Sequence, residues 1–199
     1  MISIHQKIPN SVAIAVSGGI DSMAVLDFLR RSREVVALHY NHATEYAPKA
    51  ESLVREYCEK HSIPLIVGYL REEMPSGVSK EMWWREHRYS FFKEATDKTI
   101  ITAHHLEDVV EGWVFSSMHG NPFLIPSQRD NFVRPFLTTE KNDFISWCEN
   151  KGVPFIEDPS NKDTKYMRNY IRNVMMENVL HINPGIKKTI KKKILNKGN

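Results

Sequence analysis

Four short apolar runs punctuate the first half of the chain: VAIAV at 12–16, VVALHY at 35–40, PLIVGYL at 64–70 and TIITAHH at 99–105. Each is flanked by a longer segment of helical period. Between 46 and 61 the apolar groups fall at Ala47, Ala50, Leu53, Val54, Tyr57 and Cys58, one face of a helix. Further helices are predicted over the aromatic-dense 82–95, over 105–119 with Gly120 as terminator, over 141–151 ended by Gly152 and Pro154, and over 165–180. Pro122, Pro126, Ser127, Asp130 and Asn131 mark 121–131 as a loop, and Asp158-Pro159-Ser160-Asn161 as a turn. Buried strands alternating with helices predict an α/β fold, a Rossmann-like parallel sheet of about five strands with helices on both faces. Residues 1–155 are expected to form this domain, and 156–199 a helical extension with a basic tail.

Composition narrows the class. With 199 residues and 41% hydrophobic content the chain can fill one core. The apolar run at 12–16 is far too short to span a bilayer, and no charged-then-apolar leader precedes it. Cys58 and Cys148 form no CxxC pair and fall beside apolar residues in helical patterns, so they read as buried free thiols. A cytoplasmic, reducing setting without membrane contact is expected. The net charge of +3 is unevenly placed: six of the 27 basic residues lie after Ile186 with no acid among them, and the rest of the chain is slightly acidic. Such a tail either contacts phosphates or is a solvated, frayed terminus. Oligomeric state is not legible.

Chemistry first enters at SGGIDS, 17–22, where a strand gives way at once to a helix. In open α/β sheets ligands sit outside the carboxyl ends of the strands. Glycines let backbone approach a phosphate, and a helix N-terminus offers unpaired N–H groups and a partial positive charge. Asp21 alone would repel a phosphate, whereas an Asp holding Mg²⁺ against a pyrophosphate has a role there. The glycine pair by itself is explained by a tight helix start; the whole string after a strand points to nucleotide binding. It is neither a Walker A nor a GxGxxG motif.

TAHHLEDVVEGWVF, 102–115, adds a second cluster. On a helix Leu106, Val109, Val110, Trp113 and Val114 form an apolar stripe, and His104, Asp108 and Glu111 line the opposite side, predicted to face away from the core. That spacing suits a metal or an amine, and equally a solvated face. Its start at the sheet edge favours the first.

SGGIDS matches the SGGxDS signature of the PP-loop ATP pyrophosphatases, which split ATP between its α and β phosphates and activate a substrate oxygen as an AMP ester. TAHHLEDVVEG resembles the TAHHxDDQxET pattern of the tRNA(Ile)-lysidine synthetase family. HYNH at 39–42, WWREHRYSFF at 83–92, VRPFL at 133–137 and EDPSNKDTKYMRNYIRN at 157–173 resemble further segments of that family, in order, over about 12–185. Glu107 stands where its pattern has Asp, Gly112 where it has Thr, and NPFLIPSQRDN replaces a glycine-rich segment. The resemblance is to a minimal form without the C-terminal domains of longer members.

The resemblance implies two steps: O2 of a wobble cytidine, in the anticodon region of a tRNA, attacks the α-phosphate of ATP, and the ε-amine of free L-lysine then displaces AMP from C2. It implies ATP held by Ser17, Gly18, Gly19, Ile20, Asp21 and Ser22, with Mg²⁺ on Asp21. Arg85, His104, Asp108 and Glu111 join Asp21 as candidate catalytic residues. Arg88, Asp108, Glu111, Arg134, Asp158, Asn161, Arg168, Asn169 and Arg172 are candidates for substrate contacts. Trp83, Trp84 and Tyr89 offer stacking surfaces for a base, or simply core. A carboxylate or histidine takes the proton of the amine; the residues do not choose which. Two other readings are a tRNA thiolase of the same superfamily, which the lack of CxxC pairs disfavours, and an inactive nucleotide-binding module.

Overall fold

The computed structural model describes residues 1–197. Strand β1 (Ser11–Ala15) leads through the glycine turn into α1 (Ile20–Arg30), followed by β2 (Glu34–Asn41), α2 (Ala47–Lys60), β3 (Leu65–Tyr69), α3 (Lys80–Ala95), β4 (Ile100–Ile101) and α4 (Leu106–Met118). A hairpin of β5 (Gln128–Arg129) and β6 (Phe132–Val133) precedes α5 (Lys141–Lys151). The chain ends in a 3₁₀ turn (Pro159–Lys162), α6 (Met167–Tyr170), a π-helical turn (Ile171–Met175), α7 (Met176–Ile182) and α8 (Ile186–Lys197). No helix among the described residues is long and apolar enough to cross a membrane.

The six strands are ordered β3-β2-β1-β4-β6-β5, all parallel except β5, which runs antiparallel to β6. The chain moves outward from β1 to β3 and then crosses back to β4 on the other side of β1. The crevice between the carboxyl ends of β1 and β4 is therefore the topological switch point, where this class of sheet takes its ligands. The parallel core was legible in the apolar runs. The sixth strand was not: β5 lies in the segment 121–131 expected to be loop. It pairs with β6 across a tight turn at Asp130, whose φ of 54° is left-handed. Aspartate tolerates that conformation better than most residues.

Alternation along the strands builds two layers. Val12 and Ile14 point into a cluster with Met23 and Leu26 of α1, Val54 and Tyr57 of α2, and Phe144 of α5. Ala13, Leu38 and Tyr40 point the other way, onto Phe92 of α3, with Ile100 and Phe132 in the same layer. Gly68 in β3 admits α3 at close range, since a Cβ there would sit 2.5 Å from Cδ2 of Phe91. Cys58 and Cys148 are buried free thiols, pushed up by burial to about 11 and about 12.

The C-terminal segment departs from expectation twice. The helix expected over 165–180 is interrupted by the π turn, which keeps Ile171 in an apolar cluster with α4 while its neighbour Arg172 reaches two carboxylates of α4. And the basic tail, as far as Lys197, is a docked helix. Ile186, Ile190 and Ile194, spaced four apart, bury against Leu106, Val109, Val110 and Val114, while Lys188, Lys191, Lys192 and Lys193 stay exposed. The described part of the tail is thus amphipathic rather than frayed.

Candidate active site

The glycine turn is built by its serines. The Ser17 N–H donates to Ser22 Oγ at 3.1 Å, and Ser22 Oγ donates to the Gly19 carbonyl at 2.9 Å. Gly18 has φ +86°, and a Cβ on it would meet the Ala50 backbone at 3.4 Å. Its carbonyl accepts from the Ile156 N–H at 3.0 Å. Buried His39 donates from Nδ1 to the Val16 carbonyl at 2.9 Å, fixing the last residue before the turn. No side chain caps the first turn of α1, so the N–H end of that helix, from Ile20 onward, faces the crevice open to an anion.

Asp21, in that first turn, carries the most informative atom of the site. Its Oδ2 accepts from Lys141 Nζ at 3.3 Å and lies 3.7 Å from Nε2 of His105; its Oδ1 is buried with no hydrogen-bond partner. His105 stands at the start of α4. Its backbone N–H donates to Asp108 Oδ2 at 3.0 Å and its Nδ1–H to Glu107 Oε2 at 3.1 Å. The two helix starts are joined through these side chains at the switch point.

The acidic side of α4 corrects one expectation. It does not face away from the core: Glu111 is only 4% exposed, roofed by the π turn. Arg172 grips it through two bonds, Nε to Oε1 at 2.8 Å and Nη2 to Oε2 at 2.9 Å, and gives Asp108 a third at 2.9 Å. Burial raises the Glu111 carboxyl, opposed by Arg172. For Asp108 burial pushes the same way, but the charges of His105, His104 and Arg172 outweigh it and the pKa is lowered. Burial works against charge on the His105 ring, yet the carboxylates of Asp108, Glu107 and Asp21 prevail and its pKa is raised. Burial likewise raises Glu107, but donation from His105, Lys187 and the Lys141 N–H holds it down at about 2.

On the other side of His104 the surroundings turn positive. His104 is half-buried, hydrogen-bonded through Nδ1 to Thr102 Oγ1 at 2.9 Å. Burial, with the charges of Arg134, Arg168 and Arg85, pulls its pKa down to about 4 against the pull of Asp108, so the ring is neutral near pH 7. Arg88 is half-buried; burial, together with Arg85 and Arg168, lowers its pKa. Arg85 is exposed and lies over the Tyr89 ring at 4.5 Å. Arg134 is not on the surface: it is 3% exposed, one Nη donates to the Pro126 carbonyl at 3.0 Å, and its Nε has no partner. Trp84 packs on His42 and Trp83 on His87, both half-buried, and Tyr89 packs on Phe132.

The segment 158–173 serves largely to hold itself. Asp158 accepts from the Ser160 N–H at 2.8 Å, Asn169 donates to the Ser160 and Asp163 carbonyls, and Asn173 donates to the Asn161 carbonyl. The loop is thereby pinned against α6 and the π turn, the elements that present Arg168 and Arg172. Asp158, Asn161 and Asn169 are not drawn into the carboxylate cluster. Glu107, Lys141 and Lys187 are: Glu107 through its neighbour His105 on α4, and the two lysines, whose spacing carries no signal for it, only when α5 and α8 dock.

Comparison with known proteins bears on the family and the fold. A family model described as a PP-loop domain matches residues 3–179. The chain is 32% identical to a tRNA(Ile)-lysidine synthase of Thermotoga sp. (strain RQ2), with 90% of this chain and 47% of that one covered. It is also 32% identical to a tRNA(Ile)-lysidine synthase of Malacoplasma penetrans, covering 82% and 61%. The chain thus spans about half the length of the curated relatives it matches. Among solved structures, a U34-tRNA thiolase from Methanococcus maripaludis superposes with a TM-score of 0.74 over 96% of this chain and 73% of that one, at 15% identity, which speaks for the fold alone.

Proposed function

The chain belongs to the PP-loop domain family, and from that membership we propose that it is an ATP-dependent tRNA-modifying ligase that joins free L-lysine to a wobble cytidine. The observation that carries the reading is one juxtaposition. At the switch point lie an uncapped glycine turn, a carboxylate with an unpartnered buried oxygen, and on the facing helix a pair of carboxylates bridged by Arg172, Glu111 buried and Asp108 half-buried. An ATP-binding module without chemistry needs only the first of these. The relatives' shared name supplies the substrate class.

The turn at 17–22 and the N–H end of α1 hold the triphosphate of ATP. Asp21 Oδ1 fits a hard cation: Mg²⁺ is ordinarily held by one or two carboxylates together with substrate phosphates. When bound, Mg²⁺ supplies neutralisation of charge on the departing pyrophosphate. The cytidine O2 attacks the α-phosphorus, a new P–O bond forms, and the α–β bridging bond breaks with its electron pair on pyrophosphate. Arg85 and Arg88, on the positive side of His104, stabilise charge at the phosphorus or on the RNA backbone. His104, neutral near pH 7, hydrogen-bonds the base rather than repelling it. The lysine ε-amine then attacks C2, and the C2–O bond breaks to release AMP as the amine loses a proton. Asp108 and Glu111 attract the cationic substrate, which requires Arg172 to share or yield them. Arg168, exposed on α6 with its charge felt at His104 and Arg88, contacts RNA phosphate.

Thiolation is disfavoured because both cysteines are buried and pushed up in pKa, the opposite of a reactive thiol. The deciding experiment incubates the protein with labelled lysine, ATP, Mg²⁺ and bulk tRNA. Lysine transfer with release of AMP and pyrophosphate is expected. Pyrophosphate release without lysine transfer would mean another nucleophile, and ATP binding without turnover would mean an inactive module.

A further inference from the structure

The family match ends at residue 179, yet a residue beyond it reaches the site. Lys187, in the first turn of α8, extends Nζ to Glu107 Oε1 at 2.6 Å and to Glu140 Oε2 at 3.4 Å. The other oxygen of Glu107, Oε2, accepts from His105 Nδ1–H at 3.1 Å and from the Lys141 backbone N–H at 2.9 Å. A carboxylate held by donors on both oxygens has no rotational freedom left. Its Oε2 is therefore a fixed acceptor for His105. The far nitrogen of that ring, Nε2, is in turn aimed between Asp21 Oδ2 at 3.7 Å and Asp108 Oδ2 at 3.5 Å.

We infer that Lys187 is a positioning residue: by locking Glu107 it sets the ring of His105, and through it the two carboxylates Asp21 and Asp108 on facing helices. Docking of α8 does not need this contact, because Ile186, Ile190 and Ile194 already bury a continuous apolar stripe. A half-buried ion pair adds little net stability once its desolvation is counted. What the pair does add is direction, the role that outer groups play for histidines at reacting centres. Lys141 ties the same unit together from α5, donating to Glu107 through its backbone and to Asp21 through its side chain. The helix after the matched domain is on this view a strap that completes the reaction site, and the basic residue nearest its start is spent inward rather than on a polyanion.

The kinetic arm of the test rests on the proposed pyrophosphate-releasing reaction; the spectroscopic arm does not. The full chain is compared with Lys187→Met, which keeps the stem and removes the charge, and with Lys187→Arg, which keeps the charge. Lys187→Met is expected to lower kcat for pyrophosphate release about tenfold, with KM for ATP within about twofold, and Lys187→Arg to recover most of the loss. In nitrogen-resolved NMR of the histidine side chains without substrates, the hydrogen-bonded Nδ1–H of His105 is expected to shift in Lys187→Met and return in Lys187→Arg. Equal losses of kcat in both variants with an unmoved His105 signal would reduce Lys187 to helix packing and overturn the inference. So would an unchanged kcat and an unchanged signal in Lys187→Met. If the parent chain releases no pyrophosphate at all, the reaction reading fails, and the NMR comparison alone decides the link.

Discussion

Two aspartates on α1, Asp21 and Asp27, sit at opposite ends of the same helix and have opposite fates. Asp27 is 1% exposed and saturated. Oδ1 accepts from Arg30 Nε at 2.8 Å and from the Tyr57 hydroxyl at 2.5 Å; Oδ2 accepts from Arg31 Nε and Trp147 Nε1, each at 2.9 Å. It stitches α1 to α2 and α5. Asp21 has one oxygen shared with Lys141 and one buried oxygen left unpaired. A buried polar group without a partner costs about 1–3 kcal/mol, more when charged. Saturation marks the first aspartate as structural, and the unpaired oxygen of the second is the atom to which the proposed Mg²⁺ site is assigned.

Substitution sharpens the contrast. Asp27→Ala leaves two arginines and an indole N–H around an empty buried site, and is expected to destabilise the fold by about 3–5 kcal/mol in urea unfolding. The protein that remains folded should still release pyrophosphate; loss of that activity without loss of stability would reverse the roles assigned here. Asp21→Asn is expected to leave the melting temperature within a few degrees and to cut Mg²⁺-dependent pyrophosphate release by about 100-fold or more. Undiminished release in that variant removes Asp21 from the metal site.

Acid separates the two as well. Burial raises the Asp27 carboxyl, but donation from Arg31, Tyr57, Trp147 and Arg30 outweighs it and holds the pKa at about 2, below the ordinary 3.8. A depressed folded-state value means stabilisation that is complete above pH 4 and lost as pH falls from about 4 to about 2, worth roughly 2 kcal/mol. Chemical unfolding measured across that window should show this slope, and Asp27→Asn should flatten it. The smallest effect is expected at Gly18→Ala: left-handed φ costs a residue with a Cβ roughly 1–2 kcal/mol, while the added methyl would meet Ala50 at an ordinary contact distance of 3.4 Å. ATP affinity should fall with it; an unchanged affinity would mean the turn tolerates displacement and holds no phosphate closely.

Much of this was legible in local pattern. The strands of the parallel core announce themselves as apolar runs because both faces are covered, and SGGIDS is readable because the turn, its glycines and its helix start are contiguous. The hairpin at β5 and β6 was hidden, since its two-residue strands lie among turn-forming residues and β5, Gln128–Arg129, is polar and exposed. The π turn was hidden because Ile171 and Arg172 satisfy an α-helical pattern equally well; only packing on α4 shows that both must be served at once. Asp108 and Glu111 were recognisable as a pair on one helix face, but not as bridged by Arg172, because that contact depends on a residue 61 positions from Glu111.

What the amino-acid order determined by itself is whatever neighbours along the chain can enforce: alternating strands and helices, the glycine turn with its helix N-terminus, and carboxylates spaced on one face. What only the tertiary structure decided is which charges meet. Lys141, Lys187 and Arg172 come from three separate elements, and each neutralises a carboxylate of the site only after α5, α8 and the π turn have docked. Coulomb attraction acts through space and reads distance, not sequence separation, so the balance of charge at the switch point exists only in the folded chain.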